Sequence, residues 1–185
     1  VISMSIGGIG ASDLLSDAMQ YMNINNVVFT VCMMNFNTND IYYPAGYSLS
    51  YPNIIAVGAT NPDDQRTAPF FWSNTSGSCY GNHINVVAPG NFIYGLNHIS
   101  NTNSASYWGG TSQATPLVAS IVSLMLSHNP NLNPTQVRQI IQNTAQDQVG
   151  NPTEDVAGFD QYMGYGRVNA FAALQQTLSL DKPDS

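Results

Sequence analysis

The chain has 185 residues, which is enough for one domain with a sizeable core. Hydrophobic residues make up 43% of it and charged residues only 8%, which excludes intrinsic disorder, because disordered chains combine few apolar residues with many charges. The formal charge of −7, from 4 basic and 11 acidic side chains, makes nucleic acid and anionic membrane surfaces poor partners. No apolar run approaches the length of about 18 residues that marks a membrane-spanning helix.

The first part of the chain alternates apolar runs with one helical pattern. The β-branched run Val1–Ile6 predicts a buried strand. Ser12 stands where an N-cap is expected, ahead of a helix predicted over Asp13–Ile24. The continuous apolar run Val27–Met33 predicts a strand that is covered on both faces. A strand, a helix and a strand in this order form a βαβ unit with two parallel strands.

The second part continues with strands and ends with helices. The apolar runs Ile54–Ala59 and Ile84–Ala88 predict two more buried strands. The remaining predicted elements are hairpin strands at Phe92–Leu96 and Tyr107-Trp108, a helix that starts at Thr115-Pro116, a helix from the N-cap Asn133 to about Thr144, and a helix over about Asn169–Leu178. This order indicates one α/β domain, or the C-terminal part of one.

Two cysteines and one sequon bear on the compartment of the protein. Cys32 and Cys79 either form one disulfide or stay free, and the sequence leaves both states open. No Cys-x-x-Cys or His/Cys cluster indicates a metal site. The sequon Asn74-Thr75-Ser76 and the charge-poor, Asn-rich composition favour an exported protein. The chain begins without Met or a signal peptide, so we expect a piece of a longer protein.

The sharpest motif is Gly109-Gly110-Thr111-Ser112-Gln113-Ala114-Thr115-Pro116, a glycine-rich turn that leads into an apolar helix. A serine at a helix mouth has a free hydroxyl, and the nearby N–H groups and the helix dipole stabilise an oxyanion. Taken alone, a Gly-Thr-Ser tripeptide is far more often an ordinary N-cap. Ala114 stands where the nucleophile elbow of lipases and esterases needs glycine, which disfavours that class.

Several segments, in the same order, give the chain a resemblance to the subtilisin-like serine proteases, or subtilases. They are Val1-Ile2-Ser3-Met4-Ser5-Ile6-Gly7-Gly8, Pro52-Asn53-Ile54-Ile55-Ala56-Val57-Gly58-Ala59, Val87-Ala88-Pro89-Gly90, Gly110-Thr111-Ser112-Gln113-Ala114-Thr115-Pro116, Gln136-Val137-Arg138 and Gly164-Tyr165-Gly166-Arg167-Val168-Asn169-Ala170. The resemblance implies an α/β fold with a three-layer, mostly parallel sheet and helices on both faces, incomplete at the N-terminus. Residues 1–178 would be the C-terminal portion of a catalytic domain, and residues 179–185 a tail.

The resemblance implies two catalytic roles. Ser112 would be the nucleophile, and Asn35 would donate its side-chain amide to the oxyanion, together with the Ser112 N–H. The related sedolisins share the Gly-Thr-Ser turn but have Asp where this chain has Asn35. An alternative interpretation of Asn35 is one surface asparagine among many.

The resemblance also implies a substrate site. Ser5-Ile6-Gly7 and Met33-Met34 would form two walls that hold the substrate as an added β-strand. As side chains, the two methionines are better explained by core packing. Tyr42 would lie at the base of the S1 pocket, which binds the residue before the scissile bond. The family usually has small residues and a glycine before its oxyanion asparagine, so we expect a narrowed pocket with a preference for small or medium apolar residues.

The resemblance leaves the catalytic base outside this chain. In subtilases the triad aspartate and histidine precede the segment where the resemblance begins. The histidines here, His83, His98 and His128, all follow Asn35, and none fits the family's base. We therefore expect a serine endopeptidase whose isolated segment is inactive without an upstream Asp and His.

The alternative is a catalytically inactive binding protein with the same fold, a pseudoprotease. The expected partners are a peptide or protein substrate and the upstream Asp/His-bearing part of the same domain, with no nucleic acid and no membrane. No cofactor is required, and the resemblance allows a structural calcium ion. The expected location is secreted or extracytoplasmic.

Overall fold

A computed structural model describes residues 1–98 and 105–180. Its strands are β1 (Ile2–Met4), β2 (Gly8–Ile9), β3 (Phe29–Cys32), β4 (Tyr42–Tyr43), β5 (Ile54–Thr60), β6 (Val86–Pro89), β7 (Ile93–Leu96) and β8 (Ala105–Trp108). Its helices are α1 (Asp13–Ile24), α2 (Thr111–His128), α3 (Pro134–Asn143) and α4 (Ala170–Leu180), and a short 3₁₀ segment covers Ala45–Leu49.

The centre of the fold is a parallel sheet in the order β1-β3-β5-β6. Every residue of β5 is buried, as expected for a strand covered on both faces. Two antiparallel pairs, β2 with β4 and β7 with β8, lie outside this sheet. The turn between β7 and β8 lies outside the described residues. These features confirm the predicted α/β fold with a mostly parallel sheet.

Alternate residues of the strands supply two separate cores, so the fold has three layers. Ile55 and Val57 of β5 belong to a cluster with residues of α2, α3 and α4. Ile54 and Ala56 of the same strand belong to a second cluster, which includes Met19 of α1. The period of two in a strand therefore places helices on both faces of the sheet.

The predicted elements are all present, with shifts at their ends. Helix α1 has the predicted bounds, and most strands are one to three residues shorter than predicted. Helix α4 continues through Leu180, and the rest of the tail expected at 179–185 lies outside the described residues.

The largest difference concerns α2, which was expected to start at Thr115-Pro116. The helix begins at Thr111, with Gly110 as its N-cap, so Pro116 lies inside it. Proline has no N–H to donate to the carbonyl four residues earlier, which here belongs to Ser112. That carbonyl accepts instead from the Ser5 hydroxyl at 3.0 Å, so no carbonyl is left unpaired there.

Two apolar surfaces of the fold are uncovered. Strand β1 pairs with β3 on one side, and its other edge has no strand partner among residues 1–98 and 105–180. Val1 and Ile2 remain 45% and 42% exposed at this edge. On α2, Leu117 and Leu124 are 40% and 54% exposed, so the helix expected to be buried is covered on one face only. None of the helices in the described part of the chain is both long and apolar enough to span a membrane.

Candidate active site

Ser112 is the second residue of α2, at the end of the sheet where the parallel strands terminate. The turn before it packs tightly, because the Gly110 N–H donates to the Gly90 carbonyl at 2.7 Å. A side chain at Gly109 would lie 2.8 Å from Oδ1 of Asn91 and 2.9 Å from the ring of Phe71. Glycine is therefore required where this turn approaches the sheet.

The first turn of α2 leaves one N–H free. The Thr111 N–H donates to Oδ1 of Asn35 at 2.9 Å, and the Gln113 N–H donates to the Gly110 carbonyl at 3.0 Å. The Ser112 N–H between them has no acceptor among the described residues. A free N–H at a helix N-terminus carries a partial positive charge and attracts anions.

Asn35 directs a second donor to the same place. Its Oδ1 accepts from both the N–H and the hydroxyl of Thr111, at 2.9 and 3.0 Å, so its Nδ2 is the end left to donate. A methyl group placed on Gly110 would lie 3.2 Å from this Nδ2, 3.6 Å from the Ser112 nitrogen and 3.0 Å from Oε1 of Gln113. Two N–H donors thus flank one small space beside Gly110, the arrangement that stabilises a developing oxyanion.

Residues 34–37, here called the Asn35 loop, are held from the side by residues 77–79. The Asn37 N–H donates to the Gly77 carbonyl at 2.9 Å, and the Gly77 N–H donates back to the Asn35 carbonyl at 3.1 Å. The Cys79 N–H donates to the Met34 carbonyl at 3.0 Å. Met34 and Asn37 have φ of 77° and 53°, a left-handed backbone that non-glycine residues adopt only where their surroundings enforce it.

The expected walls of the substrate site are unequal. Ile6 is 72% exposed and Ser5 is also exposed, which leaves this segment open to a partner strand. Met33 is fully buried in the core, so its side chain contributes no wall surface. Met34 is only partly buried, and its sulfur lies 2.8 Å from the point where Gly7 would carry a Cβ. The Met34 side chain therefore occupies the space between the two segments.

Tyr42 lies in the core under the Asn35 loop. It is 8% exposed, and its ring stacks on that of Phe36 at 5.2 Å between centroids. A cavity of about 380 Å³ opens on the other side of Asn35 and is lined in part by Met34, Phe36 and Trp72. A larger groove of about 490 Å³, lined in part by Phe71 and Phe92, includes neither Ser112 nor Asn35.

The histidines lie away from the Ser112 hydroxyl. His128 is the last residue of α2, about 24 Å from Ser112 at 1.5 Å per residue. His83 is buried, and burial lowers the pKa of its imidazole. His98 is an exposed residue after β7. Within the described residues no histidine is hydrogen-bonded to Ser112.

Both cysteines are free and buried. Cys79, expected in a loop at the pocket rim, is fully buried, and its sulfur accepts from the Phe36 N–H at 3.2 Å. Burial raises the pKa of both thiols, which keeps them protonated. No group of three or more His, Cys, Asp or Glu residues in the described ranges could hold a metal ion.

Some contacts of the site could not be predicted from the sequence. Thr111 orients Asn35 across 76 residues, and Ser5 binds the Ser112 carbonyl across 107. Trp72 fixes the Gly109 carbonyl with its ring N–H at 2.8 Å. Local patterns report on neighbours within a few residues, so these contacts required the fold.

Several known proteins are similar in sequence to this chain. The sequence model of Peptidase S8, the subtilase family, matches residues 1–166. Thermitase of Thermoactinomyces vulgaris is 34% identical over 175 residues, which cover 95% of this chain and 54% of that protein. Subtilisin DY of Bacillus licheniformis is 32% identical, with 95% and 57% covered. A cell wall-associated protease of Bacillus subtilis (strain 168) is 34% identical, with 94% and 20% covered. The chain spans about half the length of the first two relatives.

Proposed function

Because the chain belongs to the subtilase family, a family of serine endopeptidases, we propose that it supplies the nucleophile and the oxyanion hole of a peptide-bond hydrolase. The observation that carries this proposal is the convergence of two unpaired donors, Nδ2 of Asn35 and the N–H of Ser112, beside Gly110. A serine that served only as a helix cap would need no second donor aimed at the same space.

In this mechanism Oγ of Ser112 attacks the scissile carbonyl carbon, and the carbonyl oxygen becomes an oxyanion. The carboxamide of Asn35 and the Ser112 N–H donate to it, and the positive end of α2 adds to the stabilisation. In a subtilisin, losing the corresponding asparagine donor costs about 10²–10³ in kcat. Because Thr111 holds the Asn35 oxygen, the carboxamide is already oriented before substrate arrives.

The general base and its orienting carboxylate are proposed to come from an Asp/His-bearing part of the same domain outside these 185 residues. The positions of His83, His98 and His128 support this, since none is bonded to Ser112. The uncovered edge of β1 and the exposed Leu117 and Leu124 of α2 are apolar surfaces that such a part would cover.

The substrate is proposed to be a polypeptide that adds as a strand beside Ser5-Ile6-Gly7. Exposed backbone at this segment offers main-chain hydrogen bonds to any sequence, and the Asn35 loop bounds the other side. Export from the cytoplasm is part of the same proposal and rests on the charge-poor composition and the sequon at Asn74. For the calcium ion that the resemblance allows, the described residues contain no group of three or more His, Cys, Asp or Glu that could hold it.

A binding protein without turnover is the second candidate. The observation that favours it is Met34, whose side chain fills space that a substrate residue would need. The paired donors at Asn35 and Ser112 favour the protease, because binding alone does not require an oxyanion site.

A serine-directed phosphonate tests the proposal on the full-length protein. We expect covalent labelling at Ser112, located by mass spectrometry, and loss of labelling in Ser112→Ala. The isolated 185-residue chain should not hydrolyse casein above background. Labelling at another serine, or none with an intact upstream Asp and His, would exclude the protease.

A further inference from the structure

The Asn35 loop has an uncommon backbone. Two of its four residues, Met34 and Asn37, are non-glycine residues with positive φ, and they bracket Asn35 and its neighbour. Asparagine tolerates this conformation, whereas methionine keeps it only where surrounding contacts hold it. Thr111 secures the Asn35 side chain, so the question is what secures the loop beyond Asn35.

Arg66 binds the far end of this loop. One guanidinium nitrogen, Nη1, donates to Oδ1 of Asn37 at 2.9 Å and to the Ser78 carbonyl at 2.8 Å. It therefore joins the loop to the segment that pairs with it. The Arg66 side chain is 7% exposed, so these bonds form out of water, where an unpaired partner is costly.

Glu154 fixes the orientation of Arg66. Its two carboxylate oxygens accept from Nε at 3.1 Å and from Nη2 at 2.9 Å, which is the two-pronged geometry that only arginine offers. The guanidinium carbon also lies 5.1 Å from the ring centre of Tyr80 and 5.4 Å from that of Tyr162. Each nitrogen of the group thus has a hydrogen-bond acceptor, and both aromatic rings lie on one side of it.

We propose that Arg66, anchored by Glu154, is a positioning residue for the Asn35 loop. Arg66 touches neither the oxyanion space nor a substrate. It holds Asn37 and Ser78, and so keeps the Asn35 carboxamide aimed beside Gly110. The inference rests on the proposed function, because it concerns the donor to the oxyanion.

The test compares the variants Arg66→Lys and Arg138→Lys of the full-length protein. The hydrolysis of a peptide substrate is measured for each variant. Lysine keeps the charge but cannot bind Glu154, Asn37 and Ser78 at once. We expect kcat to fall about tenfold with KM nearly unchanged, since a small misplacement of a catalytic group lowers the rate of the chemical step. Arg138 is a matched control, because it is partly buried and donates to the backbone carbonyl of Ser48 without contacting the loop.

A double-mutant comparison separates positioning from general stability. In an Asn35→Ala background, Arg66→Lys should lower kcat no more than Arg138→Lys does, because the donor it positions is gone. If Arg66→Lys does not fold, Glu154→Gln replaces it, with a smaller fall in kcat and the same dependence on Asn35.

Three outcomes would overturn the inference. One is a kcat within twofold of the parent for Arg66→Lys, and another is an equal loss with and without Asn35. The third is a parent protein that is folded and contains the upstream Asp and His but hydrolyses no peptide. This outcome overturns the proposed function as well. An active parent with the first or second outcome overturns the positioning role alone.

Discussion

At the scale of single residues, Met34 lies between the two segments expected to bind substrate. Its φ of 77° turns the side chain out of the alternation of β3 and toward Gly7, whereas Met33 points into the core. The sulfur of Met34 also accepts from the Cys32 thiol at 3.7 Å, which keeps the side chain in place. Two adjacent methionines therefore differ in position, since Met33 packs in the core and Met34 lies against Gly7.

Replacing Met34 with glycine should widen the range of residues accepted before the scissile bond. The parent should prefer small or medium apolar residues, because a large one would have to displace the Met34 side chain at a cost of about 1–3 kcal/mol. In Met34→Gly the ratio of kcat/KM for phenylalanine to that for alanine should rise about tenfold or more. Glycine also suits the positive φ, so stability should not fall.

A panel of peptides that differ only at this position, assayed on the full-length protein, measures the ratio. Met33→Leu is the matched control and should leave it unchanged, because Met33 is fully buried. A parent that already prefers phenylalanine or arginine would contradict the role of Met34 and the placement of the pocket.

At the scale of elements, helices α2 and α3 differ in how they start. Helix α3 starts as the sequence predicts, with a reciprocal capping box between Asn133 and Gln136. Helix α2 starts with Gly110 as N-cap and no side-chain cap, and its first N–H is taken by Asn35. No local side chain caps this N-terminus. The Thr111 N–H binds the distant Asn35, and the Ser112 N–H faces an open space.

Removing the cap of α3 should lower stability without changing the site. In Asn133→Ala the Gln136 N–H, bonded to the asparagine oxygen at 2.9 Å, loses its acceptor. The free energy of unfolding should fall by about 1 kcal/mol, the usual cost of losing such a cap. Denaturant unfolding of the full-length protein measures this change.

Asn131→Ala is the comparison for this experiment, because Asn131 uses only its backbone N–H in the turn before α3. It should leave the unfolding midpoint nearly unchanged. Equal losses in both variants would show that the capping box does not stabilise the helix.

At the scale of the whole molecule, few ionisable groups are buried among the described residues, and His83 is one of them. It is 2% exposed, and its Nε2 is buried without a partner in the described part of the chain. Burial lowers the pKa of this imidazole below the ordinary value of about 6.5, so the folded protein keeps it neutral.

Stability should therefore fall as the pH drops below about 6.5, where the unfolded chain binds a proton that folded His83 does not. Above that pH both states hold a neutral imidazole, and the group makes no pH-dependent contribution. Urea unfolding of the full-length protein from pH 7.5 to 5 measures the slope. The non-titrating variant His83→Gln should show a shallower slope, and parallel profiles would refute the role of His83.

The sequence by itself determined the elements and the motif. Patterns within a few residues predict helix α1, the buried strands and the capping box of α3. The turn at residues 109–112 could be predicted for the same reason. The start of α2 was missed because Pro116 lies inside the helix, where the Ser112 carbonyl accepts instead from the hydroxyl of Ser5, far away in the chain.

Only the tertiary structure decided how the site is assembled. The bonds from Thr111 to Asn35 and from Arg66 to Glu154 join residues 76 and 88 positions apart. Such pairs depend on how the sheet order brings loops together, which no local pattern encodes. The free state of Cys32 and Cys79 was decided in the same way. Spacing along the chain says which side chains share a face, but distance in the fold decides which of them react, donate or stay buried.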